Sequence, residues 1–201
     1  MKRFVSLCGL FFLIACSQHA NDTSHENFNS QDSTYGIQLI KIGFLEFADT
    51  TKIDSLSSAL TKSFDIYDED INRTTHIDAE ELAEFSFDFF LPRLKQILKL
   101  RGFDLIVRTS EDYQETYDVF INEEKIKLYT SEDMEHDNFW MVASRAFFKE
   151  INRQLKNSGI EESIYLLYED NDLHALLLTP NQCSLIQDKY RANPKELPYD
   201  P

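Results

Sequence analysis

Residues 137–178 read DNFWMVASRAFFKEINRQLKNSGIEESIYLLYEDNDLHALLL. Within them Phe139, Ala143, Phe147, Ile151 and Leu155 recur every fourth position, the spacing that lines one face of an α-helix. Arg145, Lys149, Arg153 and Lys156 form a basic ridge on the same segment, at spacings of four, four and three. Gly159 is placed to end that helix. Two apolar runs come next, 164–168 and 173–178, separated by Asp170-Asn171-Asp172. This is the pattern of two strands joined by a tight turn. A long amphipathic helix leading into a hairpin points to antiparallel pairing rather than to alternating strand and helix crossovers.

Upstream, residues 117–121 and 125–129 form a second hairpin across Asn122-Glu123-Glu124. Residues 103–108 read as a further strand, and the apolar run Ile37, Leu39, Ile40, Ile42, Phe44, Leu45 and Phe47 as a largely buried one. Apolar residues at 53, 56, 60 and 64 have helical spacing, and residues 65–75 form an acidic loop. Asp78 suits a helix N-cap, with Glu81 three residues on, for a helix through Phe90. Pro92 should break or kink the chain before a helix resumes over 94–100. A short helix is expected after Pro180, and the tail from Tyr190, with Pro194, Pro198 and Pro201, is expected to be extended. The expectation is an α+β fold: a mainly antiparallel sheet built from hairpins, packed with two or three longer helices, in a single domain over residues 36–189 with a tail over 190–201.

The chain has 201 residues, with 20 basic against 35 acidic side chains and a formal charge of −15. A nucleic-acid ligand is excluded on this balance, because displacing counterions from phosphates requires positive charge. Hydrophobic residues make up 42%, including 16 Phe and 9 Tyr, enough for a packed core and too many for a disordered chain.

The first residues carry an address. Lys2 and Arg3 precede an uncharged stretch over 4–15. That is too short to span a bilayer, which takes about 20 apolar residues, and has the length of a signal-peptide core. The stretch ends in Leu13-Ile14-Ala15-Cys16, which resembles the lipobox of bacterial lipoproteins. The resemblance implies diacylglyceryl transfer to the Cys16 sulfur, cleavage before Cys16, a signal peptide over 1–15 and a membrane anchor on the mature chain. Several acyl chains at about 0.8 kcal/mol per buried methylene hold stably. Ser17, by the sorting rule of enteric bacteria, favours the outer over the inner membrane of the cell envelope. Residues 16–35, polar apart from few apolar positions, read as the lipidated Cys and a flexible tether. Only Cys183 then remains as a free thiol, so no internal disulfide forms.

Motifs for chemistry are weak. Asp68, Asp70 and Asn72 match the first three ligand positions of an EF-hand loop, but Arg73 stands where glycine is needed and Ala79 where a bidentate Glu should be. The loop reads instead as solvated acidic chain leading into a cap. His76, His136 and His174 show no zinc-ligand spacing. His174 and Cys183 are close enough in sequence to meet, yet nothing signals an orienting group or an oxyanion hole for a thiol dyad. No catalytic residue, metal or cofactor is assigned. Acidity is the most informative feature: residues 65–88 hold nine acids and one base, and residues 111–137 ten acids and two bases. Asp68, Glu69 and Asp70, together with Glu132, Asp133 and Glu135, are the candidate contacts to a protein partner with a basic surface. The expected function is a membrane-anchored, non-enzymatic protein-binding module, an immunity or inhibitor protein being one concrete form. A lipid-anchored envelope hydrolase and an accessory subunit of an envelope assembly are the alternatives.

Overall fold

The computed structural model describes residues 23–136, 138–168 and 171–201, with side chains from residue 31 onward. The lipobox and Cys16 lie outside the described residues. The fold is α+β, with two antiparallel three-stranded sheets where the hairpins suggested one. The first sheet has the order β1-β6-β5, from Thr74–Asp78, Asp172–Leu178 and Ser163–Leu167. The second has the order β2-β3-β4, from Val107–Thr109, Asp118–Ile121 and Glu124–Lys127. The helices are α1 (Thr23–Lys41), α2 (Ile53–Ser63), α3 (Ala79–Ala83), α4 (Leu91–Lys99), α5 (Tyr113–Thr116), α6 (Ser131–Glu135), α7 (Phe139–Asn157) and α8 (Pro180–Lys189).

The first sheet is the middle layer. One face, with Ile77, Ile164, Leu166, Leu173, Ala175 and Leu177, joins a core shared with α3, α4, α7 and the second sheet. The other, with Leu167, Leu176 and Leu178, packs under α1, α2 and α8. Burial on both faces explains why β6 is apolar at nearly every position instead of alternating. On α7 the stripe lies where its spacing puts it: Ala143, Phe147, Ile151 and Leu155 are buried, Phe139 is half-buried, and the basic ridge is exposed. The Phe147 ring stacks on Phe87 and meets Phe90 and Phe148 edge-on.

Several segments differ from their sequence reading. The apolar run over 37–47 is not a strand: it is the end of α1 and the tight turns after it. On α1 the buried positions are Asp32, Gly36 and Leu39, a helical spacing that the density of apolar residues conceals. A Cβ on Gly36 would lie 2.2 Å from the Leu60 carbonyl oxygen, so only glycine lets α1 and α2 approach this closely. Residues 23–35, read as tether, are helical, and Asp32 pairs with Lys189 of α8 at 2.5 Å. Residues 74–78, read as the end of a loop and a cap, form β1, with Thr74 and Thr75 buried. Asp78 does cap α3, accepting from the Glu81 amide at 2.9 Å, but the helix stops at Ala83 because Phe85 turns left-handed (φ 63°). Pro92 opens α4 rather than breaking it, in the first turn, where its missing amide hydrogen is not needed. Of the strand over 103–108 only Val107 onward pairs. The tail, expected to be extended, makes a 3-10 turn over Pro194–Glu196 before Tyr199 exchanges two 2.8 Å backbone hydrogen bonds with Leu166 of β5.

The layers are joined by a buried cation. Arg73, 1% exposed, donates to the carbonyls of Phe44 (2.6 Å), Gly43 (3.0 Å) and Leu177 (2.9 Å) and pairs with the buried Glu162 carboxylate. Arg101 binds the same carboxylate at 2.8 Å, donates to the Asn72 carbonyl at 2.9 Å, and lies 4.0 Å over the Phe47 ring.

This packing fixes the expected cost of two substitutions. Phe147→Ala should cost about 3–5 kcal/mol in denaturant unfolding, and a change below about 1 kcal/mol would mean the stripe is not core. Glu162→Gln leaves two guanidinium groups facing a neutral amide and should cost a comparable amount, about 3–5 kcal/mol.

Candidate functional site

The structure treats the two acidic segments differently. Asp68 accepts from the Asp70 amide at 2.9 Å to cap a short 3-10 turn, and Asp70 takes the Lys52 ammonium at 2.5 Å. Asn72 is committed too, donating to the Phe47 carbonyl and accepting from Arg93, both at 2.9 Å. Glu69 alone of the acidic triplet is exposed. The loop thus serves the fold. Among the described residues no three His, Cys, Asp or Glu side chains are arranged to hold a metal ion.

On α6, Thr130 and Asp133 form a reciprocal capping box: Thr130 Oγ1 accepts from the Asp133 amide at 3.3 Å, and the Asp133 carboxylate accepts from the Thr130 amide at 2.7 Å. The Thr130 hydroxyl, which donates to the Asp133 carboxylate at 2.7 Å, and then the Thr130 amide hold the Asp133 carboxyl below its ordinary range. Glu132 and Glu135 are exposed and pair with no described side chain.

Beside α6 lies a chain of aromatic rings that the sequence reading did not isolate. Tyr129 stacks on Tyr117 at 4.6 Å between centroids and meets Phe139 at 5.3 Å and Phe85 at 6.2 Å. Phe85 meets Tyr113 at 4.9 Å, and Phe139 meets Trp140 at 5.4 Å. Tyr129 is buried, its hydroxyl donating to the Ala83 carbonyl at 3.0 Å, and burial pushes its pKa up. The other rings are half-buried, each leaving an edge or face in solvent. Phe85 (φ 63°) and Tyr117 (φ 56°) both have left-handed backbone, which bulky side chains avoid and which costs on the order of 1–3 kcal/mol each. Exposed acids lie next to these rings in the chain, Glu84, Asp112 and Glu115, and on α6 between Tyr129 and Phe139, Glu132 and Glu135. The nearby lysines, Lys125 and Lys127, are taken by Asp118 at 2.9 and 3.2 Å. Lys125 also acts on Asp112, so the surface is aromatic and acidic, with Glu84, Glu115, Glu132 and Glu135 forming no ion pair among the described residues.

The basic ridge of α7 is partly consumed. Arg153 grips Glu150 through two bonds of 2.7 and 2.8 Å and lies 3.5 Å from Glu124, while Arg145 sits over the Tyr199 ring.

The histidines divide. His136 is at the exposed end of α6. His76 and His174 stand directly opposite each other on β1 and β6, rings 5.1 Å apart. Because β1 was not legible, neither was this pair. His76 Nε2 meets Asp172 at 2.8 Å, with the exposed Phe89 edge-on at 5.5 Å. His174 packs between Tyr67 and Tyr168, whose hydroxyls both reach Glu196, and its Nδ1 is buried without a partner. The thiol dyad considered with Cys183 does not form: the His174 ring neighbours are His76, Tyr67 and Tyr168. Burial pushes the Cys183 thiol up to about 12, leaving it protonated and poorly nucleophilic. Among the described residues no helix is long and apolar enough to cross a membrane.

Burial, then the neighbouring His76, hold the His174 pKa below that of a free imidazole. The unfolded chain therefore binds this proton more tightly than the folded one, and stability should fall as pH drops below about 6.5. Denaturant midpoints measured from pH 7 to 5, above the range where Asp118, Asp133 and Glu150 protonate, should show this slope. His174→Phe should flatten it, and an unchanged slope would assign the effect elsewhere.

No protein family, no curated protein and no solved structure matches this chain, so its function has to be read from these side chains.

Proposed function

We propose that the chain is a lipid-anchored protein of the bacterial cell envelope, held by Cys16, and that its folded domain is a non-enzymatic protein-binding module. The recognition face is the ring chain of Phe85, Tyr113, Tyr117, Phe139 and Trp140 with the acids beside it, and the partner presents a basic surface. The observation that carries this reading is the half-buried aromatic chain itself, placed among exposed carboxylates, of which Glu84, Glu115, Glu132 and Glu135 form no ion pair among the described residues. Aromatic residues and Met are the types enriched where proteins bind each other, and Met134, 45% exposed, adds to the same region. Arg and Lys of a partner gain twice there, from ring faces and from carboxylates. Immunity or inhibitor action remains the concrete form of the proposal, and the anchor rests on the lipobox resemblance alone.

The acidic candidates are narrowed accordingly. Glu132 and Glu135 are retained as contacts, Asp133 is assigned to capping, and Asp68 and Asp70 to the fold. Glu132→Lys with Glu135→Lys should slow association and leave the unfolding midpoint nearly unchanged, whereas Trp140→Ala should speed dissociation. The Debye length is about 10 Å at 0.1 M salt and roughly 3 Å at 1 M, so capture of the partner from envelope extract should weaken steeply with salt. Equal, salt-insensitive capture by wild type and both variants would end this reading. Cys16→Ser should abolish lipid labelling and leave an uncleaved precursor. Normal processing of that variant would remove the anchor without touching the binding face.

A further inference from the structure

The outer edge of β5 is closed by unusual means. Ile164 exposes an amide and a carbonyl on that edge, and the Asn152 side chain of α7 satisfies both, at 2.6 and 2.8 Å. Leu166 exposes the next pair, and the backbone of Tyr199 satisfies both, at 2.8 Å each. The Tyr168 carbonyl, next along the edge, accepts from the Tyr199 hydroxyl at 2.8 Å. The C-terminal tail therefore behaves as a one-residue strand. The next positions that could pair, two residues either side, do not: Pro201 carries no amide hydrogen, and the Leu197 amide goes to the Pro194 carbonyl.

The Tyr199 ring lies against a crevice lined by Ala79, Met141, Ser144, Leu166 and Leu173, with the Arg145 guanidinium 5.4 Å from the ring centre. The crevice has no room for a water molecule. Ser144 is 1% exposed, and its Oγ has no hydrogen-bond partner. A buried hydroxyl left unpaired is destabilising, so the tail is an imperfect occupant of the place it fills. Before the bridge, the tail over 191–195 is exposed, and it is tied down mainly by Glu196 and by the Gln187 amide donating to the Pro198 carbonyl at 2.8 Å.

We propose that the β5 edge and the crevice beneath Tyr199 form a peptide-binding site that the chain's own C-terminal segment fills in cis. The external ligand is an extended segment of a partner protein that carries a tyrosine and adds antiparallel to β5. Its backbone takes the Leu166 pair, its ring takes the place of Tyr199 under Arg145, and a further polar atom reaches Ser144 Oγ. Strand addition to a free edge is a general mode of peptide recognition, with main-chain bonds giving affinity and a side-chain pocket giving selectivity. This site is separate from the aromatic–acidic face and does not rest on it. The tail sets a threshold, because a tethered occupant competes at an effective concentration in the millimolar range.

The test uses the full chain and a synthetic peptide of residues 194–201. Tyr199→Ala should bind the peptide at least ten-fold more tightly than wild type, and a peptide with alanine in place of its tyrosine should not bind either protein. Equal affinity for wild type and variant, or no binding by the variant, overturns the proposal. Hydrogen exchange on the wild type gives a second measurement that no variant's folding can obscure. The Leu166 and Tyr199 amides should exchange at least a hundred-fold faster, after correction for intrinsic rates, than the Leu177 amide, which is bonded to the Arg73 carbonyl within the sheet. Equal protection would show that the tail never opens, and would overturn the proposal. A concentration-dependent dimer of the wild type that Tyr199→Ala abolishes would assign the edge to the tail of a second copy, and would overturn the partner reading.

Discussion

A buried guanidinium organises this molecule. Arg73 stands at the entry to β1 and reaches the turn after α1, the end of β6 and the segment before β5. Taking such a charge out of water is costly, and the cost is offset only when its donors find acceptors. Here the carboxylate of Glu162 and three carbonyls take four of the five N–H donors. The return is specificity. Leu177 donates back to the Arg73 carbonyl at 2.8 Å, so the register of β1 on β6 and the position of the α1–α2 layer are set by one side chain. Arg101 extends the arrangement to the end of α4 and to Asn72.

The sequence made α7 legible because its apolar residues keep a single helical period for five turns and its basic residues occupy the remaining positions. Both hairpins were legible because their turns carry Asn and Asp between apolar runs, with Asn122 taking the left-handed conformation such turns require. Two failures have physical causes. Between 37 and 47 apolar residues are so dense that both strand and helix periods are satisfied, and the deciding fact, the contact of Gly36 with the Leu60 carbonyl, is not local. In β1 the residues Thr-Thr-His-Ile-Asp include three β-branched side chains, but the run is short, lies between an acidic loop and a helix cap, and offers one large apolar residue, Ile77; pairing to β6, which is not local, decides it.

The candidate site was legible only in its charge. Sequence shows where carboxylates are numerous. It does not show which are spent on caps and ion pairs, as Asp68, Asp70 and Asp133 are, and which face solvent, as Glu132 and Glu135 do. The aromatic chain was harder still. Phe85 and Tyr117 hold the backbone conformation normally reserved for Gly and Asn, and no propensity reveals that. The surrounding packing imposes it, and with it the ring orientations on which the proposed recognition depends.

The strand order of the first sheet carries a consequence for biogenesis. Its central strand is β6, the last to be synthesised, and its contact with Arg73 spans 104 residues of chain. Neither core can close on the sheet until that strand exists, because each uses one of its faces. The first sheet therefore closes only after β6 has been made, and contacts of such long sequence separation also form slowly. If the chain is exported as we propose, this delay is useful: a protein that completes its core late reaches a translocation channel while it can still be threaded.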